Sequence, residues 1–228
     1  MLTVVTWKWG RAPFTAEHAN KMRSMLARNL GIPHCILCFT DDTRGIDSRV
    51  ECLPLPTEFA GSFRCRRRMW HYRHDLADLF GPPLQSVDLD NILTGVITPL
   101  VERTEPLVMF RVGYANVLSG SFVLCDTGYL HGAYAAYAAE PLDYPARISK
   151  NASDQAMLNH YLRGRQVAQW KERDGFCVFF GDGYEALEHH GVGPNRPTLP
   201  KGTRVLVLGS ADLWALKDPR FEWRRHWC

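Results

Sequence analysis

The sequence lacks the signatures of several common protein classes. No run of its 228 residues approaches the roughly 18 apolar residues of a transmembrane helix, and no basic leader of a signal peptide opens it. A cytoplasmic protein without a membrane span is therefore expected. Gly-x-Gly-x-x-Gly, a Gly-x-x-x-x-Gly-Lys-Ser/Thr loop and a Gly-x-Ser-x-Gly elbow are all missing. These absences argue against dinucleotide-dependent oxidoreductases, P-loop nucleotide hydrolases and α/β-hydrolases.

The chain also has a low net charge and few cysteines at the spacing of a metal site. The formal charge is +3 at pH 7, which is below the strongly basic balance of a dedicated nucleic-acid-binding protein. Seven scattered cysteines without an export signal indicate reduced thiols. Cys35 and Cys38 have zinc-knuckle spacing, but they would face opposite sides of a strand and no second pair completes a site. Because no linker interrupts the chain, one domain over residues 1–228 is expected.

Strand and helix patterns alternate along the chain. Strands are predicted at residues 3–7, 35–40, 50–55, 107–112, 121–125 and 205–208. Helices are predicted from Thr15 as N-cap to residue 30, and at 66–80, 131–139 and 154–162. This order predicts an α/β fold in which a mostly parallel, Rossmann-like sheet carries helices on both faces.

The most informative stretch is Val87-Asp88-Leu89-Asp90, which follows a Gly-Pro-Pro turn signal and leads into Asn91-Ile92-Leu93-Thr94-Gly95. The pattern predicts a strand with acids at its carboxyl end, where ligands bind in open α/β sheets. Strand alternation would point Asp88 and Asp90 the same way. Two carboxylates suit Mg²⁺ or Mn²⁺, with a substrate diphosphate completing the shell. A solvated loop or a helix cap is the structural alternative.

The sequence of features over residues 3–165 resembles nucleotide-sugar glycosyltransferases of the GT-A fold. The resemblance extends to bacterial relatives of glycosyltransferase family 8, which includes glycogenin and lipopolysaccharide galactosyltransferases. The Val87–Gly95 block is its most specific part, and Asn151-Ala-Ser-Asp154-Gln155 is the second. The resemblance implies Mn²⁺ as the usual metal, a nucleoside-diphosphate sugar as donor, and hexosyl transfer with retention of anomeric configuration.

The resemblance also implies roles on the donor side. Thr6 and Trp7, which end the first strand, would border the nucleotide base. Arg67 or Arg68 would contact the diphosphate or sugar, for which a planar guanidinium is suited. Successive helical positions cannot all face one ligand, so at least one arginine of this run is expected to be solvated. Gly120-Ser121 would line the sugar pocket.

Asp154 and Gln155 would lie by the transferred sugar and the acceptor. The alternative for Asp154 is an acid favoured by the helix dipole at a helix start. Relatives often have Asn before Gly-Ser, where this chain has Ser119, and this difference leaves acceptor specificity open.

The metal site departs from the family pattern. By resemblance, Asp88 would share the metal while touching the ribose, and Asp90 would be a direct ligand. Relatives often have a His-Gly pair in the last strand, whereas this chain reads Val207-Leu208-Gly209. His226 could replace the missing histidine, a surface histidine being the alternative, and His189-His190 is a more remote candidate.

The sequence thus predicts a metal-dependent sugar transferase with a carbohydrate as the expected acceptor. A modified nucleic acid is the alternative acceptor, since the tryptophans interleaved with basic residues could stack on bases or sugars. A nucleotidyltransferase shares the sheet and acidic site but lacks its Gly-rich loop here. A catalytically silent GT-A-fold binding protein is the third alternative, because of Leu208.

Overall fold

The computed structural model describes residues 1–10, 13–62 and 64–228, which form two β-sheets. In chain order the strands are β1 (Leu2–Lys8), β2 (His34–Thr40), β3 (Glu51–Pro54), β4 (Leu84–Val87), β5 (Asn91–Leu93), β6 (Leu107–Val112), β7 (Val117–Cys125), β8 (Ala168–Trp170), β9 (Phe176–Phe179), β10 (Gly191–Val192) and β11 (Val205–Val207). The larger sheet has the order β3-β2-β1-β4-β7-β6-β8, and the smaller has β10-β9-β11-β5.

Helices connect these strands. The α-helices are α1 (Ala16–Asn29), α2 (Ala77–Phe80), α3 (Thr98–Val101), α4 (His131–Ala139), α5 (Asp143–Ile148), α6 (Asp154–Tyr161) and α7 (Tyr184–Glu188). The 3₁₀ helices are Arg64–Tyr72, His74–Leu76, Glu172–Asp174, Ser210–Lys217 and Glu222–His226. Helix α1 follows Thr15 as predicted, and α4 has the predicted bounds. Among the described residues, no helix has the length and apolar character needed to cross a bilayer.

The larger sheet is mostly parallel and buried on both faces. Strands β3, β2, β1 and β4 run parallel, β7 is antiparallel to β4 and β6, and β8 is parallel to β6. Alternate residues enter different cores: Val4 and Ile36 pack with α1 and the smaller sheet. Val5 and Leu37 pack with the Arg64–Tyr72 helix, α4 and α6. The predicted fold class, a mostly parallel sheet with helices on both faces, is confirmed.

The predicted continuous helix at residues 66–80 is wrong. The segment is a 3₁₀ helix to Tyr72, an extended residue at Arg73 (φ −63°, ψ 142°), and two further short helices. In a 3₁₀ helix residues i and i+3 lie on one face, so Arg68 aligns with His71. Met69 and Tyr72 are buried as predicted, but Leu79 is exposed. The helical spacing of the apolar residues therefore did not reveal the break at Arg73.

Candidate active site

The Asp-x-Asp motif forms a turn rather than the end of a strand. Strand β4 ends at Val87, the Asp88 N–H donates to the Ser121 carbonyl at 2.9 Å, and the Asn91 N–H donates to the Asp88 carbonyl at 3.1 Å. The Asn91 side chain also donates to the Ser121 carbonyl, at 2.7 Å. Strand β5 then continues in the other sheet. The prediction that strand alternation points Asp88 and Asp90 the same way is therefore wrong. The two residues lie in a turn at the carboxyl end of β4, and hydrogen bonds to Ser121 of β7 hold this turn in place.

Arg68 joins two carboxylates that are distant in sequence. Its Nε and Nη2 lie 2.8 Å and 2.6 Å from Asp154 Oδ2, and its Nη1 contacts Asp88 Oδ1. Arg68 and Asp154 are buried, with 8% and 3% of their surface exposed, whereas Asp88 is half-buried. Asp154 is the first residue of α6, after the N-cap Ser153, whose hydroxyl accepts from the Ala156 N–H at 3.3 Å. Asp154 therefore both begins a helix and forms an ion pair with Arg68.

Asp90 is the least satisfied carboxylate of this group. It is 7% exposed, and within the described part of the chain its Oδ1 has no hydrogen-bond partner. Burial raises the pKa of Asp90 to about 7; the Arg68 charge and a backbone hydrogen bond oppose this rise, and the charge of Asp212 adds to it. A buried carboxylate needs a partner for its charge. The unpartnered oxygen and the neighbouring Asp88 are hard oxygen donors that fit Mn²⁺ or Mg²⁺.

Strand β7 and helix α6 are joined beside these acids. The Gly120 N–H donates to Gln155 Oε1 at 3.0 Å, and Asn159 bonds both backbone groups of Leu118, at 2.9 Å and 2.7 Å. A Cβ at Gly120 would lie 3.3 Å from the Gln155 Cβ, which is a tight contact. Ser121 approaches the hydroxyl of Ser119 at 2.8 Å. The structure thus brings Gly120, Ser121, Asp154 and Gln155 together where β7 meets α6, and Asp88 is joined to them by its hydrogen bond to the Ser121 carbonyl.

Thr6 and Trp7 lie in buried positions near the end of β1, which Lys8 completes. The Trp7 ring stacks on Phe39 at a centroid distance of 4.4 Å, and its centroid lies 5.9 Å from that of His71. Thr6 Oγ1, Trp7 Nε1 and both ring nitrogens of His71 have no partner among the described residues. Burial, with the Arg68 charge, lowers the pKa of His71 to about 3, so the ring is neutral. The predicted contact of Thr6 and Trp7 with a nucleotide base stays a prediction.

No protein-family model and no curated protein matches the sequence. Solved structures do resemble the fold. The galactosyltransferase LgtC, in complex with donor and acceptor sugar analogs, matches with a TM-score of 0.65 at 14% identity, covering 98% of this chain and 93% of that chain. An active-site mutant of LgtC gives 0.67 at 13% identity with the same coverage. The chain has the GT-A glycosyltransferase fold. The glycosyltransferase GlyE of Streptococcus pneumoniae TIGR4 matches at 0.65 and 15% identity, over 100% of this chain and 61% of that chain.

Within this GT-A fold, the three consecutive arginines have different partners. Arg68 holds Asp88 and Asp154, whereas Arg67 Nη2 donates to the Ala60 carbonyl at 2.7 Å. Buried Arg66 donates to the Ala152 carbonyl at 2.7 Å. Of the two arginines predicted to contact the donor, the structure brings Arg68 to the acids and gives Arg67 a contact in the preceding loop.

The position opposite Asp90 in the smaller sheet is apolar. Val207 of β11 pairs with Asn91 of β5 in antiparallel register, so the next residue, Leu208, lies beside Asp90. Leu208 is buried in the apolar core. The described ranges contain no group of three or more His, Cys, Asp or Glu side chains placed to hold a metal ion. Leu208, at the position where the resemblance led us to expect a histidine ligand, is thus a core residue.

His226, the predicted substitute ligand, lies in the last 3₁₀ helix against α1. Its carbonyl accepts from Arg28 Nη2 at 2.8 Å. Burial lowers the pKa of His226, and the charges of Arg225 and Arg28 lower it further. Two neighbouring cations disfavour a metal ion there. A metal-binding role of His226 stays a prediction.

Asp212 is a carboxylate that the sequence interpretation missed. It lies in the Ser210–Lys217 helix directly after β11, and its negative charge raises the pKa of Asp90. Burial raises the pKa of Asp212 itself, while a hydrogen bond from the Trp214 side chain lowers it and the charge of Asp182 raises it. No motif marks this residue, because only the β5–β11 register brings it towards Asp90.

Proposed function

We propose that the chain is a metal-dependent glycosyltransferase, which moves a hexose from a nucleoside-diphosphate sugar to a hydroxyl of a saccharide acceptor. The observation that carries this proposal is the pairing of Arg68 with Asp88 and Asp154, next to the unpartnered oxygen of Asp90. The group lies at the carboxyl end of β4, where ligands bind in open α/β sheets. The GT-A fold supports the same activity.

The charges of the group favour a cation-dependent donor site. Asp88, Asp90 and Asp154 provide three carboxylates against the single guanidinium of Arg68. A diphosphate would be repelled by this net negative charge at short range in a poorly hydrated site. A bound Mn²⁺ or Mg²⁺ would neutralise the charge that develops on the departing diphosphate. Asp90 and Asp88 are the residues that would hold it.

The remaining residues would position the sugar. Gly120 carries no side chain, which lets Gln155 pack against the backbone of β7 and fix it through the Gly120 N–H. Arg68 would turn from Asp88 towards the donor oxygens while Asp154 keeps its guanidinium in place. Asp154 and Gln155 would then lie between the transferred sugar and the acceptor. Retention of configuration stays an expectation from the resemblance.

Donor turnover tests the proposal. We would incubate the protein with a panel of nucleoside-diphosphate sugars, with Mn²⁺, with Mg²⁺ or with EDTA, and measure release of nucleoside diphosphate. We expect slow release from one donor, which EDTA and Asp90→Asn abolish. The control Asp78→Asn changes an exposed carboxylate on α2 and should retain the wild-type rate.

Other outcomes identify the alternatives. Pyrophosphate release from a nucleoside triphosphate and a sugar phosphate would indicate a nucleotidyltransferase. Donor binding without turnover, with or without acceptor, would indicate a silent binding protein. If no donor bound to the protein in the presence of either metal ion, the transferase proposal would be wrong. The anomeric configuration of the product, determined by NMR, distinguishes retention from inversion.

A further inference from the structure

The 3₁₀ helix Ser210–Lys217 places a second set of side chains near the proposed donor site. The helix follows β11, whose last residue, Val207, pairs with Asn91 directly after the Asp-x-Asp turn. Strand β11 runs antiparallel to β5, so the chain leaves β11 at the end of β5 that follows the Asp-x-Asp turn, and the helix begins on that side. None of the roles assigned above uses Trp214, which lies two residues after Asp212 in this helix.

Trp214 presents a fixed aromatic face to solvent. Its ring packs edge-to-face on Phe179 and Phe221, with centroid distances of 5.9 Å and 6.0 Å and interplanar angles of 71° and 60°. Nevertheless, 43% of the residue is exposed. The indole is thus oriented by its packing while part of its surface stays exposed, so a ligand could stack on it without a large loss of side-chain entropy.

The neighbouring carboxylate has little room to move. A Cβ built on Gly181 would lie only 2.3 Å from Asp212 Oδ1, and one on Gly209 would lie 3.4 Å from Oδ2. Asp212 therefore packs against two glycine backbones. A carboxylate accepts hydrogen bonds from hydroxyl groups, and charge-assisted bonds of this kind are stronger than neutral ones. Ring and carboxylate together match a pyranose, which has an apolar C–H face and hydroxyls around its rim.

The charges favour a neutral sugar over a nucleic acid. Asp212 packs against Gly181, which Asp182 directly follows, so two carboxylates lie near Trp214. A polyphosphate backbone would be repelled by these carboxylates. Sugar hydroxyls carry no charge and donate hydrogen bonds to the same groups.

We propose that Trp214 and Asp212 form the acceptor subsite, in which a neutral saccharide stacks on the Trp214 ring and donates a hydroxyl hydrogen bond to Asp212. The inference rests on the proposed function, since it names the substrate class of the same active site. The acceptor would then lie on the β11 side of the Asp-x-Asp turn.

Saccharide binding tests the subsite without any turnover. We would record saturation-transfer NMR spectra and titrations with maltose, cellobiose, lactose and chitobiose, on wild type, Trp214→Ala and Trp214→Phe. We expect binding of at least one disaccharide, weakened about tenfold in Trp214→Ala, which corresponds to about 1.4 kcal/mol. Trp214→Phe keeps an aromatic face and should restore most of the affinity, which a merely structural role of the indole would not predict.

Tyr129→Ala is the matched control. Tyr129 is 47% exposed, much like Trp214. It lies shortly after Cys125, which pairs with Leu84 at the start of β4, whereas Asp88 follows the end of β4. Removal of the Tyr129 ring should leave saccharide binding unchanged. The subsite is wrong if wild type binds none of the disaccharides, or if Trp214→Ala binds them as tightly as wild type.

Kinetics separate this inference from the function on which it rests. We expect Trp214→Ala to raise the KM for the acceptor about tenfold and leave the KM for the donor unchanged. Failure of the wild type to bind or hydrolyse any donor would contradict the transferase, while the NMR titrations would still decide on the subsite. Donor hydrolysis together with unaltered acceptor KM in Trp214→Ala would contradict the subsite alone.

Discussion

Replacing Arg68 by methionine removes the cation between Asp88 and Asp154 while retaining an apolar stem of similar length. The side chains of Arg68 and Asp154 are 10% and 4% exposed in this pair, and that of Asp88 is 21% exposed. Because Asp154 is almost completely buried, loss of Arg68 leaves its carboxylate without a counter-ion. Removing one partner of a buried ion pair costs about 3 to 5 kcal/mol.

The two carboxylates contribute unequally to that cost. The contact with the more exposed Asp88 is screened by water and contributes about 1 kcal/mol or less. Most of the loss therefore arises from Asp154. Because Asp154→Asn removes the buried charge, Arg68→Met combined with Asp154→Asn should cost less than the sum of the single variants. We expect a coupling energy of about 2 to 3 kcal/mol.

Urea unfolding at pH 7, followed by circular dichroism, measures these free energies. Arg67→Met is the matched control, since its guanidinium donates to the Ala60 carbonyl and its loss should cost about 1 kcal/mol or less. A loss below about 1 kcal/mol in Arg68→Met, or additivity in the double variant, would refute the buried pair as the organiser of the site.

Three further outcomes follow from the same geometry. Burial raises the pKa of Asp90 to about 7, so the metal-free protein should lose stability relative to Asp90→Asn as pH rises from about 4 to 7, by about 1.4 kcal/mol for each pH unit. Thermal melts across that range check this, and added Mn²⁺ should close the gap; equal pH profiles would contradict it. Gly120→Ala should disturb the contact with Gln155 and raise the donor KM several-fold, whereas Gly61→Ala, with nothing within 4 Å, should not; equal KM values would argue against a sugar at β7. The pKa of His71 is lowered to about 3, so its neutral form contributes stability above about pH 6.5 that is lost as pH falls towards 3. His71→Phe should remove this acid sensitivity and stabilise the protein by about 1 kcal/mol at pH 7, because two unpaired buried nitrogens disappear; a destabilised variant in urea unfolding would show that they have a partner.

The strands of the larger sheet could largely be predicted because their residues are buried on alternating faces. Leu2 to Trp7 and Ile36 to Phe39 show this in their side chains. The short strands β8 and β10 were missed. They have three and two residues, and their hydrogen-bonded neighbours, not their own sequences, make them strands.

The grouping of the candidate site residues could be predicted only where chemistry and local pattern coincide. Asp88, Asp90 and Asp154 follow apolar or helix-start patterns, and the structure places them as neighbours or through Arg68. The conformation of the motif was wrong, because a turn held by Ser121 depends on β7, about thirty residues further on. Asp212 could not be predicted either, because only the pairing of β11 with β5 brings it towards the motif.

The Asp88–Asn91 turn is also the place where the chain leaves one sheet and enters the other. A substitution in this turn therefore changes both the proposed donor site and the connection between the two sheets. Trp214, by contrast, stands on a surface helix and shares no backbone pairing with either sheet. Substitutions at the proposed donor site are therefore expected to cost more stability than substitutions at Trp214.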